Sequence, residues 1–162
     1  MNLFSAIQSE DPDMFQKAID AGADVNKRDA SGHTPLTFAA YWGAVDFVVK
    51  LLNAGADINA TNKYGETALH AALDLPDAED ADMDPALVDL RADVANTLID
   101  RGANATIKDN NGKTPYDVAV SNGFDEIAKK LAAATTTQRG GRKKTRKRGR
   151  KTTRRRRGTC RR

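Results

Sequence analysis

The segment GADVN at Gly22–Asn26 recurs as GADIN at Gly55–Asn59, 33 residues later, and returns in weakened form as GANAT at Gly102–Thr106. A second word keeps the same phase: GHTPLTFAA from Gly32, GETALHAAL from Gly65 and GKTPYDVAV from Gly112. The last interval is 47 residues, so one unit carries a 14-residue insertion. A unit of this length cannot bury a hydrophobic face alone, which constrains the chain to a stack in which each unit contacts only its neighbours. Function then falls to the surface of the stack.

Each unit reads as two helices. Thr34 caps the first through its hydroxyl, and Pro35 takes the first helical position, where a missing amide hydrogen costs nothing; Thr67 and Thr114 repeat the start. Leu36, Ala39 and Ala40 mark an inner face, and Gly43 turns the chain into a second helix carrying Phe47, Val48, Leu51 and Leu52, which Gly55 ends as a left-handed cap. The equivalent core sites are Leu69, Ala72, Val94, Leu98 and Ile99, then Tyr116, Ala119, Ile127, Ala128 and Leu131.

TPL followed by AA, a helix turn, LL and GAD with an Asn two residues on resembles the ankyrin repeat, over roughly residues 1–132. The resemblance implies an all-α repeat solenoid, a stack of helix pairs with short β-hairpin loops through Asp24–Asp29, Asp57–Asn62 and Asn104–Asp109. The repeat domain is expected over residues 1–134, in units of about 1–28, 29–61, 62–108 with the insertion, and 109–134. The first unit lacks TPL and has Glu10 where a turn glycine is expected, and the last has Thr135 where GAD should begin, so both are read as capping units.

Ankyrin-type stacks serve as rigid binding surfaces, which implies an unidentified protein partner for a monomeric chain, held by hairpin tips and the exposed side of the first helices. Carried over by position, the tips place Arg28, Ser31, His33, Lys63, Tyr64, Glu66, Asn110, Asn111 and Lys113 at the partner, and the helices place Tyr41 and Trp42 there. The rings of Trp42, Tyr41 and Tyr64 are the hot-spot candidates, since they bury much area with few rotatable bonds. His70, at the end of TALH, is implied to hydrogen-bond between loops rather than to bind a ligand.

Charge divides the chain in two. Residues 139–162 hold 15 of the 26 Lys and Arg with no acid, leaving 11 bases to face all 22 acids in the body. The tail, residues 135–162, has almost nothing to bury and no aromatic ring, so it is expected to be disordered when free. Its candidate polyanion-binding residues are Arg142, Lys143, Lys144, Arg146, Lys147, Arg148, Arg150, Lys151 and Arg154, Arg155, Arg156 and Arg157. They can neutralise phosphates of DNA or RNA without reading sequence, because no ring is present to stack on bases. KKTRKR at Lys143–Arg148 equally resembles a basic nuclear-import signal, and the two uses are physically indistinguishable here. Nucleus and cytoplasm are both expected locations. The tail also resembles in composition the basic C-terminal extensions on proteins of large DNA viruses, and a viral chain of this kind is expected to be able to associate with the virion.

The insertion carries the opposite charge. Asp74, Asp77, Glu79, Asp80, Asp82, Asp84, Asp89 and Asp93 stand against one base, Arg91. Asp84 before Pro85, with Leu87, Leu90, Val94 and Leu98 at helical spacing, predicts an extended second helix preceded by an acidic loop over about 76–84. A calcium loop counted from Asp80 needs Gly at its sixth place and Glu at its twelfth, and finds Pro85 and Arg91. Two separated histidines and the single Cys160 offer no zinc set.

No phosphate-cradling glycine loop, nucleophile elbow or paired base appears, so neither enzyme nor cofactor is expected, and Cys160 reads as an incidental thiol. No apolar run approaches the roughly 20 residues needed to span a membrane, and the N-terminus lacks the pattern of a secretory signal. The chain therefore reads as soluble and intracellular, with no membrane partner.

Overall fold

The computed structural model describes residues 2–75 and 85–140. Among the described residues, eight helices follow one another in pairs: α1 (Leu3–Gln8) and α2 (Pro12–Asp20), α3 (Pro35–Tyr41) and α4 (Val45–Asn53), α5 (Ala68–Leu73) and α6 (Pro85–Asp100), α7 (Pro115–Ser121) and α8 (Asp125–Gly140). The odd-numbered helices pack successively in one layer, and α4, α6 and α8 do so in the other. The result is the all-α repeat solenoid expected, with four units in register.

Local chemistry explains the regular starts. Thr34, Thr67 and Thr114 are extended N-caps whose hydroxyls accept from the amide three residues on, and the residue there answers with its own side chain in all three. Gly43, between α3 and α4, and Gly123, at the equivalent turn between α7 and α8, take φ of +68° and +76°, the left-handed region that glycine enters without penalty. Glu10 holds the same place in the first unit at φ 50°, so a side chain there bears strain that glycine would avoid.

Small inner residues let the layers approach: Ala39, Ala40, Ala72 and Ala119 are fully buried beside Leu36, Leu69 and Leu131. Leu51, Val48, Val94 and Leu98 close the core from the second layer, and the rings of Phe15 and Phe47, 5.0 Å apart, join α2 to α4. Tyr116 departs from expectation. It occupies the place of Leu36 and Leu69 yet is 40% exposed, because among the described residues no later unit packs over α7.

The loops between units close without strand pairing among the described residues. Each is instead a tight turn in which the amides of Asp29, Asn62 and Asp109 donate to the carbonyls of His33, Glu66 and Lys113, all at 2.9 Å. The side chains of the same three residues accept from amides across the turn, replacing the ladder with local hydrogen bonds.

The asparagine of each GADxN word ties one unit to the next. Asn26 Oδ1 accepts from the Asp57 amide and Asn59 Oδ1 from the Asn104 amide, both at 2.8 Å, although the second pair is 14 residues further apart in sequence. The insertion leaves the stacking intact. It appears as an α6 that begins at Pro85, seven residues before the place equivalent to the start of α4, and the expected acidic loop at 76–84 lies outside the described residues. At the other end, residues 135–140, grouped with the tail on composition, continue α8, and the Thr135 hydroxyl donates back to the carbonyls of Leu131 and Ala132.

Candidate partner-binding groove

Phe38, Tyr41 and Trp42 are spaced so that one helix face must carry all three. At the end of α3 their rings form a contiguous set: Phe38 and Trp42 have centroids 6.3 Å apart, and Tyr41 meets Trp42 edge to face at 5.7 Å. Phe4 of α1 supports Phe38 from behind at 5.5 Å. A helix whose other side is filled by Leu36, Ala39 and Ala40 can only present these rings outward, and Tyr41 and Trp42 are 42% and 49% exposed.

The turns complete the walls. His33 stands at one tip with its ring Nδ1 3.3 Å from Asp29 Oδ2, and Tyr64 and Glu66 stand at the next. Burial alone pushes the Asp29 carboxyl up, but hydrogen bonds from the His33 amide and ring and the Ser31 amide bring it below the ordinary carboxylate range. Asn62 is buried, accepts from the amides of Tyr64 and Glu66, and donates to Glu66 Oε2 at 2.7 Å, which fixes that carboxylate at the groove edge. Ala71 of α5 forms the floor and Asp74, the cap of α5, the far rim. Together these residues enclose an open groove of about 420 Å³.

Of the residues assigned to a partner from sequence, His33, Tyr41, Trp42, Tyr64 and Glu66 come together in this groove. The others lie along the tips. Arg28 donates to the carbonyls of Gly32 and Thr61, and Asn110 donates through its amide to Tyr64 O and through Nδ2 to Lys63 O, so both spend polar groups joining adjacent tips. Ser31, Asn111 and Lys113 donate their amides within their own turns, and Lys63 holds its ammonium 5.1 Å over the Tyr64 ring. The twelve polyanion candidates from Arg142 to Arg157 lie outside the described residues.

Two further residues contribute to the groove. Phe38 was legible from its spacing to Trp42 and its place in the TPLTF word. Arg91 was not: a lone base in an acidic stretch reads as solvated, yet it is 2% exposed, with its guanidinium 4.5 Å from the Tyr41 centroid and Nη1 donating to Asp74 O at 2.5 Å. Arg91 therefore fixes the Tyr41 ring from behind and fastens the rim at Asp74.

His70 is structural, as the resemblance implied. Its Nε2 meets Lys113 O at 3.2 Å and its Nδ1 meets the Thr67 amide at the same distance. Among the described residues no group of His, Cys, Asp and Glu could hold a metal ion, and no helix is long and apolar enough to cross a membrane.

A family model for ankyrin repeats, in three copies, matches residues 3–83, half of the chain. The chain belongs to the ankyrin repeat family. Its fold is also similar to the crystal structure of the ankyrin repeat domain of Bcl-3, a protein described as a unique member of the IkappaB family, with a TM-score of 0.64 and 28% identity. That match covers 80% of this chain and 50% of the other, so this ankyrin stack spans about half the length of its relative. The fourth unit, beyond the family match, keeps the ankyrin cap at Thr114 and the same turn at Asp109.

Proposed function

We propose that the protein is a non-enzymatic adaptor that captures a protein partner in the groove between its first helices and its turn tips, while the basic tail contacts nucleic acid or directs nuclear import. Ankyrin repeats are protein-interaction modules, and that much follows from family. The observation that carries the finer reading is the exposed Tyr41–Trp42–Tyr64 set, three large rings in one groove on a body whose other large side chains are mostly buried. Exposed apolar rings of this kind in a preformed concavity favour a partner that buries them.

A second reading rests on the tail, whose 15 charges of one sign in 24 residues suit a protein that acts mainly by binding DNA or RNA. Removing residues after Gly140, where α8 ends, separates the two. Retained partner capture with lost polyanion binding supports the adaptor, and loss of every interaction supports the second reading. A pull-down with Trp42→Ala beside the wild-type chain tests the groove itself, and equal recovery of partner by both would reject it.

A further inference from the structure

We propose that the outer face of the fourth unit is a self-association surface, on which a second copy of the chain packs end to end about a two-fold axis. The fourth unit keeps the apolar residues of a middle unit where a terminal unit needs a polar face. In the first three units the positions covered by the next unit hold Leu3 and Ile7, Leu36 and Ala40, and Leu69 and Leu73, all at 3% exposure or less. Their equivalents in the fourth are Tyr116 and Val120, 40% and 53% exposed. With Asp125, Ala128, Lys129 and Ala132 of α8 they line a shallow cleft of about 300 Å³.

The two ends of the stack differ, and the difference selects the occupant. On the first unit, the place that later units bury as Pro35, Ala68 and Pro115 holds the exposed, polar Asn2, and the place of Ala71 and Val118 holds the exposed Ser5. That end is capped, so head-to-tail stacking would set a polar face on an apolar one. Contact of the fourth unit with its own copy matches like faces and closes at two chains. Residues 141–162 cannot cover the face themselves, since they contain no Leu, Ile, Val, Met or aromatic residue.

Charge and register fit the same arrangement. Asp125 and Lys129 stand one helical turn apart on this face, so it carries both members of an ion pair. Lys129 reaches Glu126 at 2.7 Å within α8, yet an ammonium has three donors and can take a second acceptor. A two-fold axis crossing α8 at Ile127 sets Asp125 of each copy against Lys129 of the other. Crossing α7 at Val118, it sets Tyr116 against Val120. Ile127 and Val118 lie four and five residues from Gly123 in the turn that joins the helices, so one axis perpendicular to both serves all these pairs. The α8 helices then run antiparallel, and the two basic tails leave from opposite ends, which separates their like charges.

The pair replaces the monomer implied by family resemblance with a body bearing two grooves and two tails. A long polyanion held by one tail meets the second at an effective concentration on the order of millimolar. The face is on the order of 20 Å by 20 Å, two helices wide. That is about half of the roughly 800 Å² per partner in a standard interface, so the dissociation constant is on the order of 50 µM and the chain is single at about 1 µM.

Sedimentation equilibrium of the full chain from about 5 µM to about 500 µM tests this. The mass should rise from the 17.5 kDa of one chain toward twice that value and stop there. Val120→Glu, with unchanged circular dichroism, should raise the dissociation constant at least tenfold, whereas Trp42→Ala should dimerise as the wild type does. Asp125→Lys and Lys129→Glu should each fail to pair alone, and an equimolar mixture of the two should dimerise, because every charge then meets its opposite. A mass fixed at one chain up to about 500 µM leaves this end to a different protein and overturns the proposal, as does growth past two copies. Dimerisation lost in Trp42→Ala but kept in Val120→Glu would place the contact at the groove and overturn it too. So would a mixture that pairs no better than either variant alone.

Discussion

His70 Nε2 lies 3.2 Å from the carbonyl oxygen of Lys113 and binds the buried start of α5 to the turn of the following unit. A carbonyl only accepts, so Nε2 carries the proton, and the Thr67 amide only donates, so Nδ1 is bare. The geometry holds the imidazole neutral. Burial is the largest influence and lowers the His70 pKa from its ordinary 6.5, against the Lys113 carbonyl and the nearby Asp109, Glu66 and Asp74 charges, which raise it.

That direction sets a pH dependence. The unfolded chain takes up the proton first as pH falls, so the His70 contribution is complete above about pH 6.5 and is lost as pH drops below it toward the lower folded value. Urea unfolding should show stability declining from about pH 7.5 to about pH 5.5, and His70→Gln should flatten that decline while costing about 1–3 kcal/mol at neutral pH through the orphaned carbonyl. An equally steep decline in His70→Gln would contradict the assignment.

The asparagine ties between units predict a graded series. Asn59→Ala leaves the part-buried Asn104 amide without its acceptor and should cost about 1–2 kcal/mol in chemical denaturation, whereas at Asn26→Ala water reaches the exposed Asp57 amide and the cost should be about 0.5–1 kcal/mol. Thr106, the equivalent position in the third unit, accepts nothing from a later unit and only bonds Asn104 Oδ1 locally. Its change to Ala should cost about 0.5 kcal/mol or less. Comparable losses at Asn59 and Thr106 would show that the ties do not carry the stacking.

Gly43 and Gly55 separate backbone strain from crowding. Both have positive φ, but a Cβ at Gly55 meets nothing within 4 Å, whereas one at Gly43 would lie 3.0 Å from Leu90 Cβ and 3.3 Å from Leu87 Cδ1. Gly55→Ala should cost about 1–2 kcal/mol, the left-handed penalty alone. Gly43→Ala should cost more, and Leu87→Ala, which removes the Cδ1 at 3.3 Å, should recover part of the difference. Equal effects at the two glycines would mean that the extension of α6 does not press on this turn.

Arg91 predicts a link between the insertion and the groove. Arg91→Ala removes the guanidinium behind Tyr41 and the donor to Asp74 O, and should lower stability by about 1–3 kcal/mol while weakening partner capture. Tyr41→Phe keeps the ring and should leave stability within about 0.5 kcal/mol of wild type. Normal stability in Arg91→Ala would refute the bracing role.

Much of this architecture was legible because it repeats. Thr34, Thr67 and Thr114 carry the same cap, and Gly22, Gly55 and Gly102 the same left-handed turn, so each copy corroborates the others. Legibility ends where the repetition does. Tyr116 sits on the core period but, among the described residues, has no following unit to cover it, and Leu90 keeps helical spacing yet lies on the extension of α6, 46% exposed. Arg91 belongs to the insertion, where no second copy shows that the position faces inward. The groove was half legible: position named Tyr41, Trp42 and Tyr64, but their convergence with Glu66 depends on how Asn62 folds the turn, which only coordinates display.

If these rings bind a partner, partner affinity and stability must respond differently to their removal. Trp42→Ala should reduce capture at least tenfold while shifting the unfolding free energy by less than about 1 kcal/mol, since the ring is half exposed, and Val120→Ala, an exposed apolar change at the far end of the stack, should alter neither. Undiminished capture by a folded Trp42→Ala chain, or equal loss in Val120→Ala, would contradict it.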